Sequence, residues 1–60
     1  MQVLRKISVI VADELTLVRE GVAALLERSP KFAVVGQCGD GESALSLIVS
    51  KRPDVALVDL

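Results

Sequence analysis

Sixty residues, 52% hydrophobic and 25% charged with a net charge of −1, set an upper bound of one small domain with an aliphatic interior, since Phe32 is the only aromatic. The seven Lys and Arg are scattered, which excludes the clustered basic face that contacts with nucleic-acid phosphates need. No stretch approaches the roughly 20 apolar residues of a membrane span, and the single cysteine, Cys38, permits no internal disulfide and reads as a small apolar residue of a reduced, cytoplasmic protein.

The opening "MQVLRKISVIVADEL" imitates a secretory signal only briefly, because its apolar part, Ile7 to Ala12, runs straight into Asp13 and Glu14. Ile7 to Ala12 is mostly β-branched and apolar on both alternating faces, as in a strand covered on both sides. Helical spacing follows. Leu15, Val18, Val22, Leu25 and Leu26 share one face, with Arg19, Glu20 and Glu27 off it. Thr16 is the expected cap of this helix and Pro30 its stop, after Ser29. Gly21 inside it costs roughly 1 kcal/mol relative to Ala, which points to close packing at that position.

Phe32 to Cys38 (FAVVGQC) is the second predicted strand, and "GDG", Gly39 to Gly41, is the turn after it, with Asp40 as N-cap. A second helix is expected from Glu42 to Lys51, packing Ala44, Leu45, Ile48 and Val49. Lys51 and Arg52 suit its carboxyl end, where cations complement the helix dipole, and Pro53 ends it. Val55 to Val58 is the third strand, again apolar on both faces.

This β-α-β-α-β order with short turns means parallel strands in an α/β layered fold. Right-handed crossovers leave two strand orders, 1-2-3 or 2-1-3. Strands apolar on both faces need a helix on each side, which favours 2-1-3, the first half of a doubly wound, flavodoxin-like parallel sheet. In that order the first and third strands are neighbours, about 4.8 Å apart. Asp13 and Glu14 at the end of one and Asp59 at the end of the other then converge at the topological switch point, where such sheets bind ligands. Three carboxylates in one crevice either raise each other's pKa or hold a cation between them. Carboxylates with several waters suit Mg²⁺, and a carboxylate beside such an ion is placed to attack phosphorus.

The stretch from Lys6 to Leu60, with the acid pair, "LVREG", "GDGESAL" and "RPDVALVDL" in register, resembles the first half of a response-regulator receiver domain. Its wording is nearest to receivers attached to LuxR/NarL-type DNA-binding outputs. The resemblance implies a phospho-accepting module of two-component signalling that is not itself an enzyme. Asp59 would be the acceptor, Asp13 and Glu14 the acids that hold Mg²⁺, and a sensor histidine kinase the phosphodonor. DNA would be bound through an output domain outside these residues. Glu14 stands where such receivers usually carry a second Asp. By the same resemblance, residues 1–60 are a partial receiver domain lacking the last two strands of the family's sheet. The alternative is a truncated, non-catalytic piece that only folds or self-associates through the exposed edge of its third strand.

The plainer readings are a turn-capping role for Asp59 and a solvated helix start for Asp13 and Glu14. "GDGESA" also fits a dinucleotide fingerprint, but Asp40 in its middle would repel a pyrophosphate, and it follows the second strand rather than the first. Cys38 has no His or basic neighbour in the sequence to activate it.

Overall fold

A computed structural model describes residues 5–59; Leu60, the last residue of the receiver-like stretch, lies outside them. Three parallel strands alternate with two helices: β1 (Ile7–Asp13), α1 (Thr16–Glu27), β2 (Phe32–Cys38), α2 (Gly41–Lys51) and β3 (Val55–Asp59). The sheet order is β2-β1-β3, the arrangement expected from strands that are apolar on both faces.

The central strand explains that order. Val9, Ile10, Val11 and Ala12 of β1 are all buried, so successive side chains are covered on opposite faces of the sheet. On one face Val9 and Val11 form a core with Ala23 of α1, and Val22, Leu26, Phe32 and Val34 pack against it. On the other face α2 comes down close. A Cβ added to Gly36 would lie 3.2 Å from both terminal methyls of Leu47 and 3.6 Å from Ile10 Cγ1. Ala23 and Ala44 are the buried residues of their helices, and side chains that small let each helix approach the sheet.

Both helix starts are built locally. Asp40 sits extended before α2 and accepts from the Ser43 backbone N–H at 2.7 Å and from the Ser43 hydroxyl at 3.0 Å. It is the expected N-cap, and those two bonds lower its pKa below the ordinary value. The start of α1 differs from expectation. The cap position is Leu15, which has no capping side chain, and Thr16 is already the first helical residue. At the end of α2, Arg52 takes the left-handed conformation at φ 48° and its N–H donates to the Ile48 carbonyl at 2.9 Å. The chain reverses there before Pro53.

Three sequence expectations about helix faces are corrected. Of the residues expected on one face, Leu15, Val18 and Leu25 are exposed, and the inner face of α1 is carried by Val22, Ala23 and Leu26. On α2, Leu45 and Val49 are exposed, while Ala44 is buried and Leu47 reaches the sheet. Gly21 marks no close contact, because nothing lies within 4 Å of the position its Cβ would take. No helix among the described residues is long and apolar enough to cross a membrane.

Candidate phosphoryl-acceptor edge

The carboxyl ends of β1 and β3 set the site. The two strands pair without irregularity from Val9↔Val55 to Asp13↔Asp59, so the two aspartates are register partners at one edge of the sheet. The β1–β2 pairing differs, shifting by one residue between Val9 and Ile10. Asp13 and Asp59, together with Val11, Ala12, Val18, Val22, Leu57 and Val58, line a groove of about 320 Å³ beside the start of α1.

The two acids are held differently. Asp13 is buried, with a relative exposure of 7%. Its Oδ1 accepts from the Leu15 backbone N–H at 2.9 Å, an Asx-type turn that bends the chain out of the strand and into α1. Its carbonyl accepts from Arg19 Nη1 at 2.8 Å, and the other arm of that guanidinium lies 3.3 Å from Thr16 Oγ1. Asp59 is exposed, and no described residue donates to its carboxylate. One acid is therefore oriented by the backbone and its partner is open to an incoming group.

Glu14 is adjacent in sequence but exposed and does not line the groove. Among the described residues no three His, Cys, Asp or Glu side chains come together as a metal-binding group. Of the three acids expected to converge, the fold thus sets Asp13 and Asp59 side by side and leaves Glu14 outside. The donor chemistry still fits a hard divalent cation, for which one or two carboxylates plus waters are the usual ligands.

Arg19 and Gly39 form part of this edge that the sequence reading left out. Arg19 counted as off the apolar face of its helix, but its guanidinium folds back over the end of β1. A Cβ at Gly39 would lie 3.0 Å from Arg19 Nη1, so the turn after β2 passes in tight contact with that guanidinium. No pattern in the sequence signals this bond from a helical arginine to a strand-end carbonyl six residues back.

A second polar cluster lies at the opposite, amino end of the same two strands. Asp54, just before β3, accepts from the Ser8 backbone N–H at 2.8 Å, the Ser8 hydroxyl at 3.0 Å and Arg5 Nη2 at 2.9 Å. Its own N–H donates to the Ser8 carbonyl at 3.0 Å and to Ser8 Oγ at 2.9 Å. The Ser8 N–H first, then Arg5 and the Ser8 hydroxyl, lower the Asp54 pKa to about 2.

No protein-family model matches the chain. A transcriptional regulatory protein, NarL of Mycobacterium tuberculosis, is 48% identical over 54 residues, covering 90% of this chain and 25% of that protein. A protein-glutamate methylesterase/protein-glutamine glutaminase of Myxococcus xanthus is 42% identical over 60 residues, covering all of this chain and 17% of that protein. Among solved structures, the signal receiver domain of the response regulator NarL from M. tuberculosis superposes with a TM-score of 0.89 at 47% identity, covering 92% of this chain and 44% of that one. The parallel β2-β1-β3 arrangement is thus similar to part of a receiver domain. In fold and in sequence the chain matches a fragment of a response-regulator receiver domain of the NarL type. It spans about a quarter of the curated transcriptional regulators it matches, with 23% and 25% coverage of two of them.

Proposed function

We propose that the chain is the acceptor-bearing part of a phospho-accepting receiver in two-component signal transduction, and that Asp59 is the residue phosphorylated. The observation that carries this reading is the pairing of Asp59 with the buried, backbone-oriented Asp13 at the end of adjacent parallel strands. An Asp59 oxygen supplies the electron pair for a new O–P bond. The P–N bond to the histidine of a sensor kinase breaks, and its electron pair returns to the imidazole. Exposure of Asp59 lets a kinase reach it. Asp13, fixed through Leu15 and Arg19, supplies a second carboxylate at a constant position.

Asp13 and Asp59 would hold Mg²⁺, with Glu14 the remaining acid within the same loop. When bound, such an ion neutralises phosphoryl charge and orients the group for attack. Every other contribution comes from the chain itself. The groove walls Val18, Val22, Leu57 and Val58 are apolar, and α1 begins immediately beside the acids. A cytoplasmic location and a DNA-binding output region outside these residues complete the reading, in keeping with a relative named as a transcriptional regulatory protein.

The test is incubation of the protein with a small phosphodonor such as acetyl phosphate, with and without Mg²⁺, followed by mass spectrometry. A cation-dependent, acid-stable and base-labile adduct on Asp59, absent from Asp59→Asn, is the expected result. Labelling that persists in Asp59→Asn refutes the assignment.

A second reading has its own observation. β3 is the edge of the sheet, and Val55, Leu57 and Val58 on it are all exposed. An apolar edge without charge recruits other strands, so self-association through β3 accompanies or replaces signalling.

A further inference from the structure

We propose that the Ser8–Asp54 clamp at the amino end of the sheet sets the register of β3 on β1 and thereby holds Asp59 opposite Asp13, which makes Asp54 a positioning residue for the phosphoryl acceptor. The inference rests on the reading of Asp59 as that acceptor.

Register in a sheet is normally fixed by the hydrophobic pattern, because a slip of one residue turns every side chain to the other face. β3 lacks such a pattern. Val55, Ala56, Leu57 and Val58 are apolar without interruption, and all of β3 is exposed on the strand's two faces. A one-residue slip that moves β3 forward therefore exchanges one apolar residue for another opposite Ile10, Val11 and Ala12. Packing distinguishes the two registers weakly, yet the slip brings Val58 opposite Asp13 and takes Asp59 out of the pair.

The polar contacts at the other end do discriminate. Ser8 and Asp54 are 46 positions apart, and the paired residues from Val9↔Val55 to Asp13↔Asp59 keep that same offset (55 − 9 and 59 − 13) along the whole strand. The clamp is thus the first rung of the ladder whose last rung is the acid pair. It is made of backbone and side-chain bonds together. Ser8 N–H and Oγ–H donate to one carboxylate oxygen, the Asp54 N–H returns to the Ser8 carbonyl and hydroxyl, and Arg5 takes the other carboxylate oxygen. A shifted β3 would break all of these at once. The β1–β2 ladder, by contrast, carries a one-residue irregularity between Val9 and Ile10, so a single offset does not run its whole length.

The experiment compares the protein with Asp54→Ala, Asp54→Asn and Ser8→Ala. It reads cross-strand nuclear Overhauser contacts for Val11–Leu57 and Asp13–Asp59, with Val9–Val34 on β2 as internal control, and acetyl-phosphate labelling of Asp59. Asp54→Ala is expected to lose or shift the β1–β3 contacts while keeping Val9–Val34, and to lower the Asp59 labelling rate on the order of a hundred-fold, the cost of misplacing a reacting group by about 1 Å. Asp54→Asn keeps an acceptor oxygen for the Ser8 N–H and is expected to restore the contacts and most of the labelling. A purely stabilising role would not give labelling loss with the β1–β2 half intact and rescue by Asn.

Native β1–β3 contacts in a folded Asp54→Ala overturn the clamp, whatever the labelling does. If Asp54→Ala does not fold, Ser8→Ala, which removes only the hydroxyl bonds, decides the matter. Unchanged contacts and unchanged amide exchange across Val55 to Val58 in that variant overturn the proposal. If the unsubstituted protein is not labelled at Asp59, the acceptor reading fails, and the cross-strand contacts alone still accept or reject the clamp.

Discussion

Replacing Gly21 by Ala is expected to stabilise the protein. Gly21 lies in the interior of α1 (Thr16–Glu27), and among the described residues nothing outside its immediate chain neighbours and the backbone of its own helix lies within 4 Å of the site a Cβ would occupy. The substitution therefore carries no steric cost, and two favourable effects remain. A helix interior prefers Ala to Gly by about 0.8–1.0 kcal/mol, and part of that gain comes from reducing the freedom of the unfolded chain. A 60-residue domain has a total stability of roughly 3–9 kcal/mol, so the increment is a visible fraction of it. It corresponds to a rise in Tm of about 4–8 °C at this size. Thermal and urea melts followed by far-UV circular dichroism measure it, and the urea slope m should stay constant because no surface is newly buried. Gly39→Ala is the control of opposite sign. Its Cβ would sit 3.0 Å from Arg19 Nη1, so the guanidinium must shift by a few tenths of an ångström against its bond to the Asp13 carbonyl, and a small loss of stability is expected. A Gly21→Ala protein that melts lower than the parent would show that this face of α1 is in contact after all, and would refute the reasoning.

Ile10 is fully buried at 0% exposure, so Ile10→Val should cost about 0.5–1.5 kcal/mol, read as a shift in urea midpoint; no shift would mean that the central strand is less enclosed than the structure has it. The Asp54 pKa is lowered from 3.8 to about 2, so its contribution to stability is complete above the ordinary carboxylate value and is lost as pH falls from there through 2. Asp54→Asn should flatten this acid limb in a pH series of melts, and an unchanged limb would assign it to other carboxylates. Leu57→Lys places a charge on the exposed β3 edge and should lower the sedimentation mass at high protein concentration. Equal masses for parent and variant would rule out association through β3.

Strand positions were readable because their signals are redundant. Phe32 to Cys38 is the second strand in both sequence and structure, bounded by Pro30 and by the "GDG" turn, and Asp40 caps the helix it was expected to cap. Strands apolar on both faces, Ile7 to Ala12 among them, also selected the 2-1-3 order, because that order puts one helix on each face of the sheet. Helix faces were less legible for a related reason. α1 carries Leu17, Val18, Val22, Ala23, Ala24, Leu25 and Leu26, apolar residues around most of its circumference, so several adjacent stripes satisfy the same spacing. The sheet decided between them by admitting the small Ala23 at closest approach. The cap of α1 was misplaced because Thr16 is a good capping type, whereas the turn is made by Asp13, whose backbone-directed bond to Leu15 exists only once β1 has ended. Ser8 and Asp54 were invisible for want of any local pattern. They lie 46 residues apart, and only the strand pairing brings them together.

The two ends of the β1–β3 pair divide the work of a site that must be both fixed and open. At the carboxyl end, polar atoms committed to holding the strands together would be unavailable for chemistry. Asp13 commits Oδ1 to Leu15 and its carbonyl to Arg19, both on its own loop and helix, and none of these bonds ties β1 to β3. Asp59 has no side-chain donor among the described residues. The cross-strand polar bonds between side chains and backbone instead gather at Ser8 and Asp54, five rungs away. Between the two ends lie four pairs of residues, all apolar, from Val9↔Val55 to Ala12↔Val58, which transmit a register without specifying one. Such a design accounts for a strand that is uniformly apolar yet bounded by an acid on each side. Asp54 places the strand, and Asp59 is left free because it does not have to.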